Sequence, residues 1–228
     1  MLSLNGITFE RCLTPTCAVG IPVLCIFSNA SSEAFCSCTY ARWQTLNGEY
    51  DVRFIAVKSR VAPLKRLTIP RLELQEAVLA SRLCKTIVQE SRFQFEKVML
   101  FLDSEIVLAW IRSEARKFKL FVSVRVGEIQ TNTDPSQWKH IPGELNVADD
   151  DSRGIPVRSL ADRWQHGPKF LRLPENQWHK IHQTVTNLKL KKSAVKLTTF
   201  ALRSRQSILS IVKSSQAGEG QSELLLTR

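Results

Sequence analysis

The sequence predicts an α/β domain followed by a basic tail. Three observations support this prediction. Short apolar segments separated by turn residues fill positions 23–57, which is typical of antiparallel strands joined by hairpins. Apolar residues then recur at helical spacing between positions 70 and 90. An apolar strand, two further helical segments and a short strand follow before position 154.

The composition is that of one globular domain with appendages. The chain has 228 residues, 43% hydrophobic and 23% charged, so it can bury a core and is unlike a disordered chain. Its net charge of +11 favours a polyanionic partner, and nucleic acid more than a membrane. A role of this charge in solubility alone stays open.

The six cysteines show no paired C-x-x-C spacing, and all four histidines lie beyond position 139. This pattern predicts reduced core cysteines of an intracellular protein, without a zinc site or a disulfide-linked partner. The longest apolar run near the N-terminus, 17–27, is short and is interrupted by Gly20 and Pro22. It therefore predicts neither a signal peptide nor a membrane anchor.

The N-terminal half reads as three strands and a long helix. The strand segments are VLCIF at 23–27, AFCSCTYARW at 34–43 and RFIAV at 53–57, with a turn at 46–48. A basic loop follows at 59–67, and Pro70 opens a helix that runs to about position 90. Its core-facing stripe is Ala77, Ala80, Cys84 and Ile87, and counting back four residues from Ala77 places Glu73 on the buried side at the helix start.

The C-terminal half alternates strands and helices. KVMLFLD is a strand that ends at Asp103, and SEIVLAWIRS is a short helix directly after it. A helix over 119–130 carries Phe118, Val122, Val126 and Ile129 on one side. The segment 137–154 then predicts a strand, a Pro-Gly loop and a helix that begins within 146–151, where Asn or Asp is a natural cap.

The chain divides into four predicted segments. A lead-in covers 1–19, the main domain 20–155, an extension with Trp and Pro that packs on the domain 156–179, and a weakly ordered tail 180–228. Nine basic and two acidic residues in the tail supply more than half of the net charge.

Three carboxylates fall at element ends, namely Glu73, Asp103 and Asp149. Carboxylates gathered in this way suit a site for two divalent ions beside a scissile phosphate. Each residue taken alone is also typical of a structural capping or helix-dipole partner. Their order and spacing favour the catalytic interpretation.

Five segments resemble a known family: AVKSRVAPLKRLTIPRLELQEAVLASRL, FLDSEIVLAWI, FVSVRVGEIQ, WKHIPGELNVADDDSRG and LADRWQHGPKFL. They are similar to the ribonuclease H-like region of the Pol polyprotein in BEL/Pao-type LTR retrotransposons, over about 4–178. The resemblance implies an RNase H-like fold with a mixed five-stranded sheet flanked by helices. It also implies cleavage of RNA in RNA–DNA hybrids that depends on Mg²⁺ or Mn²⁺. Such sequences often carry a peptidase label, but the chain contains no D-[ST]-G protease signature.

By this resemblance Glu73, Asp103 and Asp149 match the second, third and fourth metal-binding carboxylates. His140 resembles the residue that assists product release or proton transfer, although a structural hydrogen bond is an equal alternative. The first carboxylate of the family stands in a DAS motif, which here reads Ser28-Asn29-Ala30-Ser31.

Asn29 is therefore a degenerate first metal ligand. An amide offers one neutral oxygen and an NH₂ group, so it cannot bridge two cations as a carboxylate does. We expect weakened metal binding and activity that is lower by orders of magnitude or absent. Ser28 and Glu33 are not convincing substitutes, and Asp151 is either a charge at a packing position or a solvated first-turn carboxylate.

A nucleic-acid surface is predicted beside the carboxylates, and it would bind mainly through phosphates. Its candidates are Lys58, Arg60, Lys65, Arg66 and Arg71 around the first helix, with Arg112, Arg116, Lys117 and Lys119 as a second ridge. A solvated charged face is the alternative for any single residue. The five tryptophans are predicted to be core or docking residues.

Two other functions stay open at this stage. One is an active ribonuclease H that tolerates Asn29, and the other is a non-catalytic module that binds nucleic acid or another partner. The sequence contains neither a polymerase Tyr-x-Asp-Asp motif before the domain nor a zinc-binding His and Cys set after it, so we expect no polymerase or integrase function. Oligomeric state and the choice between cytoplasm and nucleus are not predicted.

Overall fold

A computed structural model describes residues 8, 12–64, 67–92, 94–154, 156 and 159–178. By internal contacts the chain divides into Met1–His182 and Gln183–Arg228, and all described residues belong to the first unit. The predicted tail 180–228 and most of the lead-in before position 12 lie outside the described residues, so those two predictions stay predictions.

A five-stranded mixed sheet forms the centre of the domain. The order across the sheet is β3-β2-β1-β4-β5, with antiparallel pairing from β1 to β3 and parallel pairing from β1 through β4 to β5. The strands are β1 (Ala18–Ala30), β2 (Ala34–Thr45), β3 (Tyr50–Val61), β4 (Lys97–Leu102) and β5 (Trp138–His140). Hairpins join the antiparallel strands, whereas the parallel neighbours need helical crossovers.

Within the described part of the chain, four α-helices cover the two faces of this sheet: α1 (Ile69–Glu90), α2 (Glu105–Ile111), α3 (Leu120–Asn132) and α4 (Ala148–Arg153). Side chains of β1 alternate between the faces. Leu24 and Ile26 pack with α1, α2 and α3 in one core. Cys25 and Phe27 pack with α4 and with residues 170–178 in the other.

The structure confirms the mixed five-stranded α/β fold that the resemblance implied. All five predicted strands and four predicted helices are present, but β1 begins at Ala18 rather than at position 23. The cap of α4 also differs, because Val147 occupies the cap position while the Asn146 side chain accepts from the backbone N–H of Ala148 at 3.2 Å. Trp43, Trp138 and Trp178 are buried, and the other two tryptophans are half-buried.

The core prediction is wrong for two of the six cysteines. Cys12 and Cys17 are exposed, since they precede β1 or lie at the turn that enters it, whereas Cys25, Cys36, Cys38 and Cys84 are buried. All six are free thiols. Among the described residues, no helix combines the length and the apolar character needed to cross a membrane.

Arg42 connects β2 to the segment that follows α4. Its Nε donates to the carbonyl of Leu171 at 2.7 Å and its Nη2 donates to the carbonyl of Leu173 at 2.9 Å. Its guanidinium also stacks on Tyr50, with Cζ 3.5 Å from the ring centroid, and lies over Trp178. Phe170 and Trp178 pack edge to face in the same core. The predicted domain limits of 20–155 and 156–179 stay a prediction.

Candidate functional site

The carboxyl ends of β1 and β4 bring two candidate residues side by side. The parallel register pairs Phe27 with Phe101, so Asn29 and Asp103 each lie two residues beyond the same pair. Asn29 is almost fully buried one residue before the end of β1, and Asp103 follows β4 directly. Parallel neighbouring strands therefore deliver both side chains to one edge of the sheet.

A cleft of about 490 Å³ opens at this edge. Its lining includes Asn29, Glu73, Asp103 and Arg153, together with the β1–β2 turn and Ile69. Glu73 reaches the cleft from the second turn of α1 and is half-buried there, at the edge of the core rather than in it. The cleft thus collects three of the residues that the sequence singled out.

The amide of Asn29 is fixed as a hydrogen-bond donor. Its Nδ2 donates to Asp149 Oδ1 at 2.7 Å and to Ser152 Oγ at 2.9 Å. Ser152 Oγ in turn donates to the backbone carbonyl of Asp149 at 3.2 Å, so toward Asn29 it acts as an acceptor. Both partners require an N–H at this position, and the amide NH₂ supplies two.

Asp149 has a second contact, and this one is cationic. Arg153 Nε donates to the same Oδ1 atom at 2.6 Å, one helical turn further along α4. Because Arg153 is mostly exposed, this pair contributes little stability, but it places a positive charge at the cleft. One carboxylate oxygen of Asp149 is thus already engaged by an amide and a guanidinium.

The other two carboxylates have distinct surroundings. Glu73 Oε2 accepts from Ser104 Oγ at 2.6 Å, and Ser104 also caps α2 by accepting from the N–H of Val107. Burial raises the pKa of Asp103; the nearby charges of Glu73 and Asp149 raise it further, while His140 opposes the shift. The three acidic residues are therefore near enough to affect one another.

Gly143 permits a close approach to Asp103. A Cβ at this position would lie 3.1 Å from Asp103 Oδ2, which is tighter than ordinary van der Waals contact. Gly143 belongs to the loop after β5, and His140 ends that strand opposite Leu102. The loop therefore packs against the same carboxylate that ends β4.

Sequence reasoning missed Glu76, which lies one turn after Glu73. Its side chain is 1% exposed, and its Oε2 has no hydrogen-bond partner among the described residues. Burial, with the charges of Asp103 and Glu73, raises its pKa well above the usual range, although Ser28 opposes the shift. The available signal was its position next to Ala77 on the core-facing stripe. Since Glu76 does not line the cleft, it does not replace the missing carboxylate.

The question left open for Asp151 is answered by its contacts. Asp151 is half-buried, its Oδ2 has no hydrogen-bond partner among the described residues, and burial raises its pKa. It is a charge at a packing position next to Cys36. Asp150, in contrast, receives two hydrogen bonds from Arg163, from Nε at 2.7 Å and Nη2 at 2.5 Å.

The side chains do not fit a divalent metal in this arrangement. Within the described part of the chain, no group of three or more His, Cys, Asp and Glu side chains is placed to hold a metal ion. The donor set gives the reason, because Asp149 already binds Arg153 and the position of the first ligand presents an amide NH₂.

The predicted basic residues fall into two groups. Lys58, Arg60, Arg71 and Lys119 are exposed on β3 and at the first turns of α1 and α3. Lys65 and Arg66 lie outside the described residues.

The second ridge is partly neutralised. Arg116 and Lys117 both pair with Glu114, at 2.6 and 3.4 Å, and Arg112 donates to the backbone carbonyl of Trp138 at 3.1 Å. Arg116, the more exposed member, keeps 85% of its side-chain surface accessible. This ridge therefore carries less free positive charge than its composition suggests.

Comparisons with known proteins add the following. Residues 1–104 match the family described as Pao retrotransposon-like RNaseH-like domain. This match includes Asn29, Glu73 and Asp103 and ends before His140 and Asp149. No curated protein matches the chain.

Solved structures with similarity to the chain include three nucleic-acid enzymes. The N-terminal RNase H domain of a Mycobacterium tuberculosis protein is 10% identical, with 57% of this chain and 89% of that chain covered and a TM-score of 0.37. RNase H1 from the archaeon Halobacterium salinarum is 16% identical, with coverage of 56% and 89% and a TM-score of 0.32. Prototype foamy virus protease-reverse transcriptase is 13% identical, with coverage of 63% and 20% and a TM-score of 0.32.

Proposed function

We propose that this chain, whose residues 1–104 match the Pao retrotransposon-like RNaseH-like domain family, binds RNA–DNA hybrids and cleaves them poorly or not at all. The proposal combines a nucleic-acid-binding RNase H-like domain with a degenerate catalytic site. Its catalytic candidates are Glu73, Asp103 and Asp149, with His140 in a supporting role and Asn29 at the degenerate position. Mg²⁺ or Mn²⁺ is the cofactor that the family similarity suggests, and because the described side chains do not fit a divalent ion in this arrangement, its binding would be weak.

One observation carries the proposal of impaired cleavage. The Asn29 amide donates to Asp149 and to Ser152, so its nitrogen occupies the space between β1 and α4. A cation placed there would meet N–H hydrogens instead of an anionic oxygen, and Arg153 already contributes positive charge beside it. The loss of one negative charge and the presence of this cation both oppose binding of a divalent ion.

The charge distribution supports the binding half of the proposal. The chain carries a net charge of +11, and exposed Lys58, Arg60 and Arg71 lie on elements next to the cleft. Phosphate contacts of this kind dominate affinity for nucleic acid and depend little on sequence. RNA–DNA hybrid is the substrate class that the family similarity suggests.

The test is cleavage of an end-labelled RNA–DNA hybrid by the full chain with Mg²⁺ or Mn²⁺. The parent is compared with Asn29→Asp and with the double variant Asn29→Asp/Asp103→Asn as the matched inactive control. We expect Asn29→Asp to cut, and the parent and the double variant to cut far less. Equal cleavage by the parent and Asn29→Asp would instead support an active enzyme that tolerates Asn29. Binding of the hybrid without cleavage by any variant would support a non-catalytic module.

A further inference from the structure

Helices α1 and α3 lie side by side and run in the same direction. Arg71 in the first turn of α1 contacts Phe121 in the first turn of α3. Further along, Arg82 binds Glu128 through Nε at 2.5 Å and Nη2 at 3.0 Å. The N-terminal ends of both helices therefore lie at the same end of the pair.

Two guanidinium groups stack on one aromatic ring at this end. Arg71 Cζ lies 4.8 Å from the centroid of Phe121, and Arg125 Cζ lies 3.6 Å from it. Arg125 is also anchored through Nη1, which donates to the backbone carbonyl of Phe121 at 2.9 Å. The ring holds the planes of both guanidinium groups, so little side-chain entropy remains to be lost when they bind a ligand.

Among the described residues, neither of these two guanidinium groups forms a salt bridge with a carboxylate. Neither α1 nor α3 has an acidic residue in its first turn, and Glu128 is engaged by Arg82. In the described part of the chain, Arg125 Nε is buried and has no hydrogen-bond partner. Burial lowers the pKa of Arg125, and the charges of Arg71 and Arg82 add to this effect while Glu128 opposes it. Binding of an anion would relieve this repulsion.

We propose that Arg71, Phe121 and Arg125 form a binding site for adjacent phosphates of a nucleic-acid backbone. This inference rests on the proposed function, since it names where the hybrid is held. Guanidinium groups make strong charge-assisted hydrogen bonds to phosphate oxygens. The N-terminal ends of both helices add favourable potential for an anion, and neither Thr68 nor Lys119 uses its side chain as a cap there.

The position of this site is consistent with a hybrid that also reaches the cleft. Ile69 and Glu73, which flank Arg71 in the sequence of α1, both line the cleft. The arginines would therefore hold the backbone outside the cleft while the carboxylates face the strand within it. Lys119, at the start of α3, is exposed and could contact the next phosphate.

The experiment measures the affinity of the full chain for a fluorescent RNA–DNA hybrid over a range of salt concentrations, with a chelator present to remove divalent ions. The variants are Arg71→Gln and Arg125→Gln, which remove a charge but keep a polar side chain, and Phe121→Leu, which keeps both charges. Lys169→Gln is the control, because it removes one exposed charge on the opposite face of the sheet. Melting by circular dichroism checks that every variant is folded.

The slope of log Kobs against log salt is negative, and each arginine variant is expected to reduce its magnitude by about one, whereas Lys169→Gln leaves it unchanged. Phe121→Leu should keep the slope and weaken binding by several-fold at every salt concentration, because it removes only the platform. Failure of the parent to bind hybrid would overturn the proposed function itself. Binding by the parent with an unchanged slope in Arg71→Gln and in a folded Arg125→Gln, or an equal loss in Lys169→Gln, would overturn the site alone.

Discussion

Replacing Asn29 with Asp places a second carboxylate against Asp149 and should destabilise the metal-free protein. The amide nitrogen that it replaces lies 2.7 Å from Asp149 Oδ1. Two unit charges at that separation repel by about 1.5 kcal/mol at the dielectric constant of water and by about 6 kcal/mol at an effective constant near 20. Arg153 binds the same oxygen and favours the lower end of this range. For a domain of this size, about 1.5 kcal/mol corresponds to a loss of about 3 to 6 °C in Tm.

The assay is thermal unfolding of the full chain at neutral pH, first with a chelator and then with millimolar Mg²⁺ or Mn²⁺. Asn29→Ala is the matched control, because it loses the same two hydrogen bonds without adding a charge. We expect Asn29→Asp to melt below Asn29→Ala in chelator and to recover when the divalent ion is added. The repulsion exists only while both carboxyls are ionised, so the deficit should be present at neutral pH and should vanish below about pH 4, where the carboxyls become protonated.

Two results would refute this reasoning. The first is equal melting of Asn29→Asp and Asn29→Ala in chelator at neutral pH, since the new carboxylate would then not face Asp149. The second is equal stabilisation of all three proteins by the divalent ion, which would mean that the ion binds independently of position 29.

Three further predictions follow from individual contacts. Glu76→Gln should be at least as stable as the parent at neutral pH. The unfolding free energy of the parent should fall as the pH rises above about 4.3, because burial raises the folded-state pKa of Glu76, and the variant should lack this fall. Urea titrations at several pH values measure this difference, and parallel pH profiles would contradict it. Arg42→Met should lower the free energy of unfolding in urea by about 2 to 4 kcal/mol, because two charge-assisted hydrogen bonds to backbone carbonyls and the stacking on Tyr50 are lost. A change near zero would show that those contacts contribute nothing to stability. Gly143→Ala, placed in the Asn29→Asp background, should reduce cleavage while the protein stays folded, because the new methyl group would displace Asp103. The control is Gly127→Ala in the same background, where the nearest atom to the new methyl group would be 3.9 Å away. Equal cleavage by the two variants would contradict the prediction.

The order of elements could be predicted because each has a local signal. Alternation and turn residues define β1 to β3, and the 3.6-residue periodicity defines α1 to within one residue of its start. The position of Asn29 at the end of β1 could also be predicted, since the apolar run stops there. These signals depend only on neighbours in the sequence.

Long-range contacts could not be predicted in this way. Glu76 is buried because the sheet covers that side of α1; its position beside the core-facing stripe was a signal for burial, but a charged residue type favours exposure. The stacking of Arg71 on Phe121 depends on the parallel packing of two helices that are about 30 residues apart along the chain. The exposed Cys12 and Cys17 were mistaken for core residues because residue type alone favours burial.

The hydrogen bonds of Asn29 bear on why the chain tolerates an amide at this position. Its two partners are both acceptors, because the hydroxyl proton of Ser152 is directed to the Asp149 carbonyl. An ionised aspartate would face two acceptors with no proton of its own, and it could be accommodated only by rotation of Ser152, by protonation or by a bound cation. Asn29 is therefore the better residue for the fold without metal, and a carboxylate is better only when a divalent ion is bound. If selection for cleavage were relaxed, this difference in stability would by itself favour Asn29.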